Sequence, residues 1–204
     1  MEYNKIPSDE TIRLAIAALE KNGMKALVVK TGAEAKAKVS ELIPEGAEVM
    51  NMTSITLDTI GAAQEINESG KYDSVKNKLA AMDRETQGRQ MQQIGAAPQY
   101  AVGSVHAVTE NGEVVIASQT GSQLPAYAYG AEKVIWVVGA QKIVPDMDAA
   151  IKRIYEYVLP LEGERANKAY GITTGSAVNK MLTVNHEKIE GRITIIFVKE
   201  VLGF

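Results

Sequence analysis

The residues with chemical potential crowd into Tyr100–Gln123, YAVGSVHAVTENGEVVIASQTGSQ, which is otherwise rich in Val and Ala. Ser104 and His106 stand two apart in an apolar run, and strand alternation puts both on one face. A hydroxyl and an imidazole so placed could pair, or His106 could be a hydrogen-bonded structural residue; neither an orienting acid nor a strained nucleophile elbow accompanies them. Glu110 lies at the following turn. A carboxylate at a strand end could be the catalytic group, either a general base on a carbon acid or a nucleophile taking an acyl group from a thioester. It could equally bond the hairpin amides as a turn residue. Beyond the second strand, Thr120, Gly121, Ser122 and Gln123 offer amides and hydroxyls without bulk, which suits a phosphate or carboxylate approaching the backbone.

Two further polar loops stand at strand or helix junctions. Asn51-Met52-Thr53-Ser54-Ile55-Thr56 joins a strand to a helix, where Thr53, Ser54 and Thr56 could cap free amides or help hold an anion. Gly171-Ile-Thr-Thr-Gly-Ser176 is the other, and Ser176 with Lys180 is a third anion contact or an ordinary helix start. If these loops converge at the carboxyl ends of strands, they form one cleft for a small anionic metabolite. No GxGxxG follows the first strand and no GxxxxGK[ST] run occurs, so neither a dinucleotide fingerprint nor a P-loop is supported and no cofactor is identified. With two separated histidines and no cysteine, no metal site is expected.

The elements that must position these loops alternate. Ser8 or Asp9 caps a helix to about Asn22, and Lys25–Lys30 is a strand. Thr31-x-x-Glu34 has capping-box form and opens a helix that ends before Pro44, and Ala47–Asn51 is the next strand. A polar helical region follows from Lys71 to about Ile94. It suits a solvated face, a mobile cover or the contact of a homo-oligomer, and its Arg84 and Arg89 could reach a phosphate or carboxylate. Tyr100–Val108 and Glu113–Ser118 pattern as a hairpin about Asn111-Gly112. Lys133–Gly139 reads as a strand covered on both faces. A helix from Asp146 carries Met147, Ile151, Ile154 and Val158 as a stripe and is interrupted at Pro160, beyond which Leu161–Ala169 can resume it; Arg192–Glu200 is the last strand. The expected fold is an α/β, three-layer α/β/α sandwich, with a mostly parallel mixed sheet and an antiparallel hairpin, in one domain spanning 1–204.

Composition limits the partners. Charged residues make up 23% of 204 and the formal net charge is -3, so no dominant basic face is available for nucleic acid. Aromatics at 5% leave few platforms for stacked bases. The start, MEYNKIPSDE, lacks a basic-then-apolar targeting pattern, and no apolar run is of membrane-spanning length. The absence of cysteine excludes disulfides and an ordinary protein-ligated iron–sulfur cluster, and the expected location is cytoplasmic.

The stretch VGSVHAVTENGEVVIASQTGSQLPAYAYGAEKVIWVVGAQKIVPDMDAAIKRI, preceded by NMTSITLDTIG and followed at the end by GRITIIFVKEVLGF, resembles the lactate-utilization (LUD) domain family over nearly the whole chain. The resemblance implies a branch of the phosphosugar-isomerase and coenzyme A transferase-like (NagB/RpiA/CoA transferase-like) fold. In that fold a hydroxyl-rich loop, an acidic turn and a glycine-rich loop surround a phosphorylated or thioester-bearing substrate. The implied counterparts are Thr53, Ser54 and Thr56, then Glu110, then Thr120, Gly121 and Ser122. The best-known branch takes part in oxidising lactate to pyruvate beside iron–sulfur partner subunits. It carries Gly-Pro-Ser-x-Thr-Ala-Asp where this chain has Thr174-Gly175-Ser176-Ala177-Val178-Asn179-Lys180: the Ser is kept, the Asp is lost and a Lys appears. The implied function is an accessory or metabolite-binding protein of lactate-type carbon metabolism. The alternative is an isomerase or acyl/CoA-transferase-like enzyme working through Glu110.

Overall fold

The computed structural model describes residues 3–204; residues 1 and 2, where the segment read for a targeting pattern begins, lie outside it. Ser8 accepts a hydrogen bond from the Thr11 amide and starts α1 (Asp9–Lys21). After β1 (Lys25–Val29), Thr31 caps α2 (Gly32–Leu42), accepting from the Glu34 amide at 3.2 Å. The Glu34 carboxylate turns back onto the Lys30 amide at 2.7 Å, one residue before the usual partner of a capping box. There follow β2 (Glu48–Asn51), α3 (Ile55–Thr59), α4 (Ala62–Glu68), β3 (Asp73–Ser74), α5 (Val75–Ala80) and α6 (Arg84–Ala96). The second half runs β4 (Tyr100–Gly103), β5 (Ala107–Thr109), β6 (Val114–Ser118), β7 (Lys133–Gly139), β8 (Ile143–Val144), α7 (Met147–Arg153), α8 (Leu159–Tyr170), β9 (Lys180–Val184) and β10 (Ile193–Val198).

The central sheet has the order β1-β10-β7-β4-β2-β3, and each neighbouring pair is parallel. Alternation explains its double cover. On β7, Val134, Trp136 and Val138 pack with Ile12, Ala15 and Leu19 of α1, while Ile135 and Val137 pack with Ala35, Val39, Leu57 and Ile66 on the other side. Each fully buried side chain of this size contributes about 1.5–3 kcal/mol. The expected α/β sandwich with a mostly parallel sheet is therefore the architecture found. The hairpin, however, does not join the central sheet. It builds a second sheet, β8-β5-β6-β9, in which β5 and β8 are parallel and the other pairs antiparallel. Val108, Val114 and Ile116 face the central sheet, and Ala107, Val115 and Ala117 face Ala150 and Ile154.

Two local departures have physical causes. Tyr100–Val108 reads as one strand but is two, because the chain leaves the central sheet at Gly103 and enters the second at Ala107. Gly103 is required there, since a Cβ would overlap the Tyr127 hydroxyl. Gly103→Ala is expected to cost about 2–3 kcal/mol by overpacking, and Tyr127→Phe to restore part of it in urea unfolding. Pro160, expected to interrupt its helix, instead follows a π-helical turn, Ile154–Val158, and the helix continues to Tyr170. The wider turn, closed by the Leu159 amide on the Ile154 carbonyl, accommodates a residue without an N–H.

Candidate functional site

A cleft of about 330 Å³ opens where the two sheets part. Thr53, Ser54, Thr56, Ser104, His106, Thr120, Ser122, Gln123 and Ser176 all line it, so the three polar loops meet at one hollow. They meet because β2 and β4 are parallel neighbours whose carboxyl ends lead into Asn51–Thr56 and Ser104–His106. The end of β6 then brings Ser118–Gln123 to the same place, with β9 carrying Lys180 beside it.

Several of these groups are already committed. Ser54 is the N-cap of α3, accepting from the Leu57 amide at 3.4 Å, and α3 is one short helix of five residues, so the capping alternative holds for it. In the glycine loop, the Gly121 amide donates to Ser118 Oγ at 2.8 Å and the Ser122 amide to Thr120 Oγ1 at 3.4 Å. Ser118 in turn donates to Gln123 Oε1 at 2.9 Å. Gly121, with φ of 85°, packs under Lys180, and it is not on the cleft wall; a Cβ there would meet Lys180 Cδ at 2.5 Å. The loop is thus a self-bonded wall rather than a cradle of open amides.

Glu110 is corrected outright in position. It stands at the closed end of the β5–β6 hairpin, where its amide donates to the Val144 carbonyl at 2.8 Å. The adjoining Asn111 and Gly112 carbonyls accept from Asn22 Nδ2 at 3.0 and 3.2 Å, at the end of α1. The cleft residues are at the open end of the same hairpin. Four strand steps at about 3.4 Å each separate the two ends by about 14 Å, so Glu110 cannot act there. Arg84 and Arg89 are exposed on α6 and do not line the cleft, and His186 is exposed too.

The floor of the cleft holds a residue that sequence reasoning passed over. Lys142 is 2% exposed, and its Nζ donates to Thr56 Oγ1 at 3.3 Å, Ser104 Oγ at 3.1 Å and the Val105 carbonyl at 3.1 Å. No carboxylate pairs with it among the described residues. Burial, and secondarily the positive charge of Arg153, pull its pKa down to about 7. A lysine set inside the apolar run VVGAQKIV is the signal that could have found it. Thr56 passes its own hydrogen to the Leu202 carbonyl at 3.1 Å, which Gln141 Nε2 also holds at 3.0 Å.

His106 is fixed in one tautomer. Its Nδ1 accepts from the Ala117 amide at 3.1 Å, so the neutral ring carries its hydrogen on Nε2. Burial first, then the charges of Lys142 and Arg153, lower its pKa to about 3. Arg153 lies behind it, 0% exposed, donating from Nη1 to the His106 carbonyl at 2.5 Å and packed over the Tyr157 ring at 5.3 Å. Its Nε and Nη2 find no hydrogen-bond partner, and no carboxylate pairs with it among the described residues. Asn51, 0% exposed and on the cleft, has neither amide atom bonded. Towards the rim, Arg165 is held bidentately by Glu162 at 2.7 and 2.6 Å, above the Tyr170 ring. The floor is therefore rich in donors, with Lys142 on it and Arg153 behind His106.

Among the described residues no helix is long and apolar enough to cross a membrane. Comparison with the curated proteins gives no match. Among solved structures, the chain is similar to a DUF162 family protein from Deinococcus radiodurans, at 11% identity and a TM-score of 0.58, covering 94% of this chain and 99% of that one. A weaker likeness is to eIF2B beta from Chaetomium thermophilum, at 15% identity and a TM-score of 0.37, covering 57% of this chain and 44% of that one. The LUD domain matches residues 12–198, nearly the full length over which both sheets and the cleft are built. The chain belongs to the LUD domain family.

Proposed function

We propose that the cleft binds a small anionic metabolite of lactate-type carbon metabolism, and that the chain serves as a binding or accessory subunit. The observation that carries this reading is Lys142, buried on the cleft with no carboxylate partner among the described residues, with the equally buried and unpaired Arg153 behind His106. Unpaired buried charge is costly, and a site that retains it is suited to a counter-charge from outside. Asn51 and the Nε2–H of His106 add neutral donors that can orient a carboxylate or phosphate without titrating near neutral pH. As an accessory subunit the chain would meet iron–sulfur partners through a surface such as α6, which buries none of its residues.

Calorimetry with L-lactate, pyruvate, ribose 5-phosphate and acetyl-CoA tests the reading. At least one anion is expected to bind, with protons taken up as Lys142 becomes fully charged. Its affinity should weaken, by up to about tenfold per pH unit, as pH rises above the Lys142 value of about 7. Failure of all four anions to bind on the acid side of that value would remove the proposal.

A further inference from the structure

We propose that Ser104 and Lys142 form a serine–lysine pair that makes the cleft an acyl-transfer site, acting on a small ester or thioester that carries a negative group. The inference rests on the binding reading for the charged part of the substrate and goes beyond it for the reaction.

The hydrogen-bond inventory around Lys142 singles out Ser104. The Val105 carbonyl can only accept, and Thr56 has committed its hydrogen to the Leu202 carbonyl, so both must take hydrogens from Nζ. Ser104 Oγ lies 3.1 Å from Nζ and has no other hydrogen-bond partner among the described residues. It alone can reverse the bond and donate to the lone pair of the neutral amine. A nucleophile bonded to its base, with the base oriented by further groups, is the arrangement that activates a hydroxyl. Ser104 also sits in the break between β4 and β5, free of the strand ladder, with its side chain on the cleft. Burial leaves a sizeable amine fraction on Lys142 at neutral pH, which a general base needs. Asn51 and His106 line the same cavity, where the His106 Nε2–H and the unpartnered Asn51 amide are neutral groups available to a developing oxyanion.

The step balances without an oxidant. Ser104 Oγ forms a bond to the acyl carbon while its proton passes to Lys142 Nζ, and the carbonyl pair moves to oxygen. Collapse breaks the carbon–sulfur or carbon–oxygen bond, and the leaving thiolate or alkoxide takes the proton from Lys142. Water, deprotonated by the same amine, then cleaves the acyl-serine to the carboxylic acid and restores Ser104.

The test treats the whole chain with a fluorophosphonate probe and, separately, with a 4-nitrophenyl ester bearing a carboxylate, and maps the modified peptide by mass spectrometry. The adduct is expected on Ser104, with a rate that climbs through a half-point at about pH 7. Ser104→Ala and Lys142→Met should each lower ester turnover about 10³-fold or more, and the double variant should be no slower than either, because the pair acts as a unit. If a variant does not fold, the wild-type adduct and its pH profile decide the matter. An unmodified Ser104, or a labelling rate flat between about pH 6 and about pH 8, overturns the pair. Anion binding seen by calorimetry in that same sample would leave the binding reading standing, and its absence would remove both.

Discussion

Lys142→Met is expected to make the ligand-free protein more stable and the cleft unable to hold an anion. Nζ is buried among hydroxyls and a carbonyl with no carboxylate partner among the described residues, and its pKa falls from 10.5 to about 7. In the window between those values the unfolded chain binds a proton that the folded chain does not, so folding is penalised, fully below about 7 and not at all above 10.5. Methionine fills a similar volume without the charge. The cost of stranding the Val105 carbonyl reduces the gain, leaving about 1–3 kcal/mol at acid to neutral pH. That gain should shrink steadily as pH rises towards 10.5. Removing a desolvated charge that meets an anion costs about 2–5 kcal/mol of binding, so affinity should fall about 30-fold or more. Urea unfolding at two pH values and calorimetry on the same samples check both halves. A variant that is less stable and still binds would show that Lys142 merely ties loops together.

Acid is expected to unfold the protein through His106. The folded ring stays neutral down to about 3, whereas the unfolded ring takes its proton at 6.5. Between these values the unfolded state binds more protons, so stability is lost as pH falls, at up to about 1.4 kcal/mol per pH unit. Near pH 4 the loss from this one group reaches about 3 kcal/mol. Its causes are burial and the nearby charges of Lys142 and Arg153, which oppose a second positive charge. His106→Asn keeps an acceptor for the Ala117 amide and removes the titration. Its unfolding free energy should therefore be flatter with pH across this window, and the difference between the two urea-derived profiles is the measurement. Parallel profiles would place the acid sensitivity elsewhere.

Local sequence determined the elements. Ser8, Thr31, Ser54 and Asp146 cap the helices that their positions imply, because capping needs one side-chain oxygen a few residues from its amide. The apolar runs Lys133–Gly139 and Arg192–Glu200 became neighbouring central strands because covering both faces leaves no polar alternation. The order of strands and helices also implied that the loops Asn51–Thr56, Glu110–Gln123 and Thr173–Ser176 would form one site if they converged; Thr53, Ser54, Thr56, Thr120, Ser122, Gln123 and Ser176 do line one cleft, whereas Glu110 and Gly121 do not.

Tertiary structure decided which of those groups remain free and what charge they meet. Ser54 and the Gly121 amide are spent within their own loops, and Glu110 is carried to the far end of a hairpin whose strand pairing separates its turn from its open end. Lys142 and Arg153 come from segments 38 and 47 residues beyond Ser104 and His106, and Lys142 reaches the floor and Arg153 the back of His106 only because β8 pairs with β5 and α7 packs on the second sheet. Spacing along the chain governs caps and alternation, which act over a few residues. The desolvation and neighbouring charge that shift Lys142 and His106 depend on what long-range packing places around them.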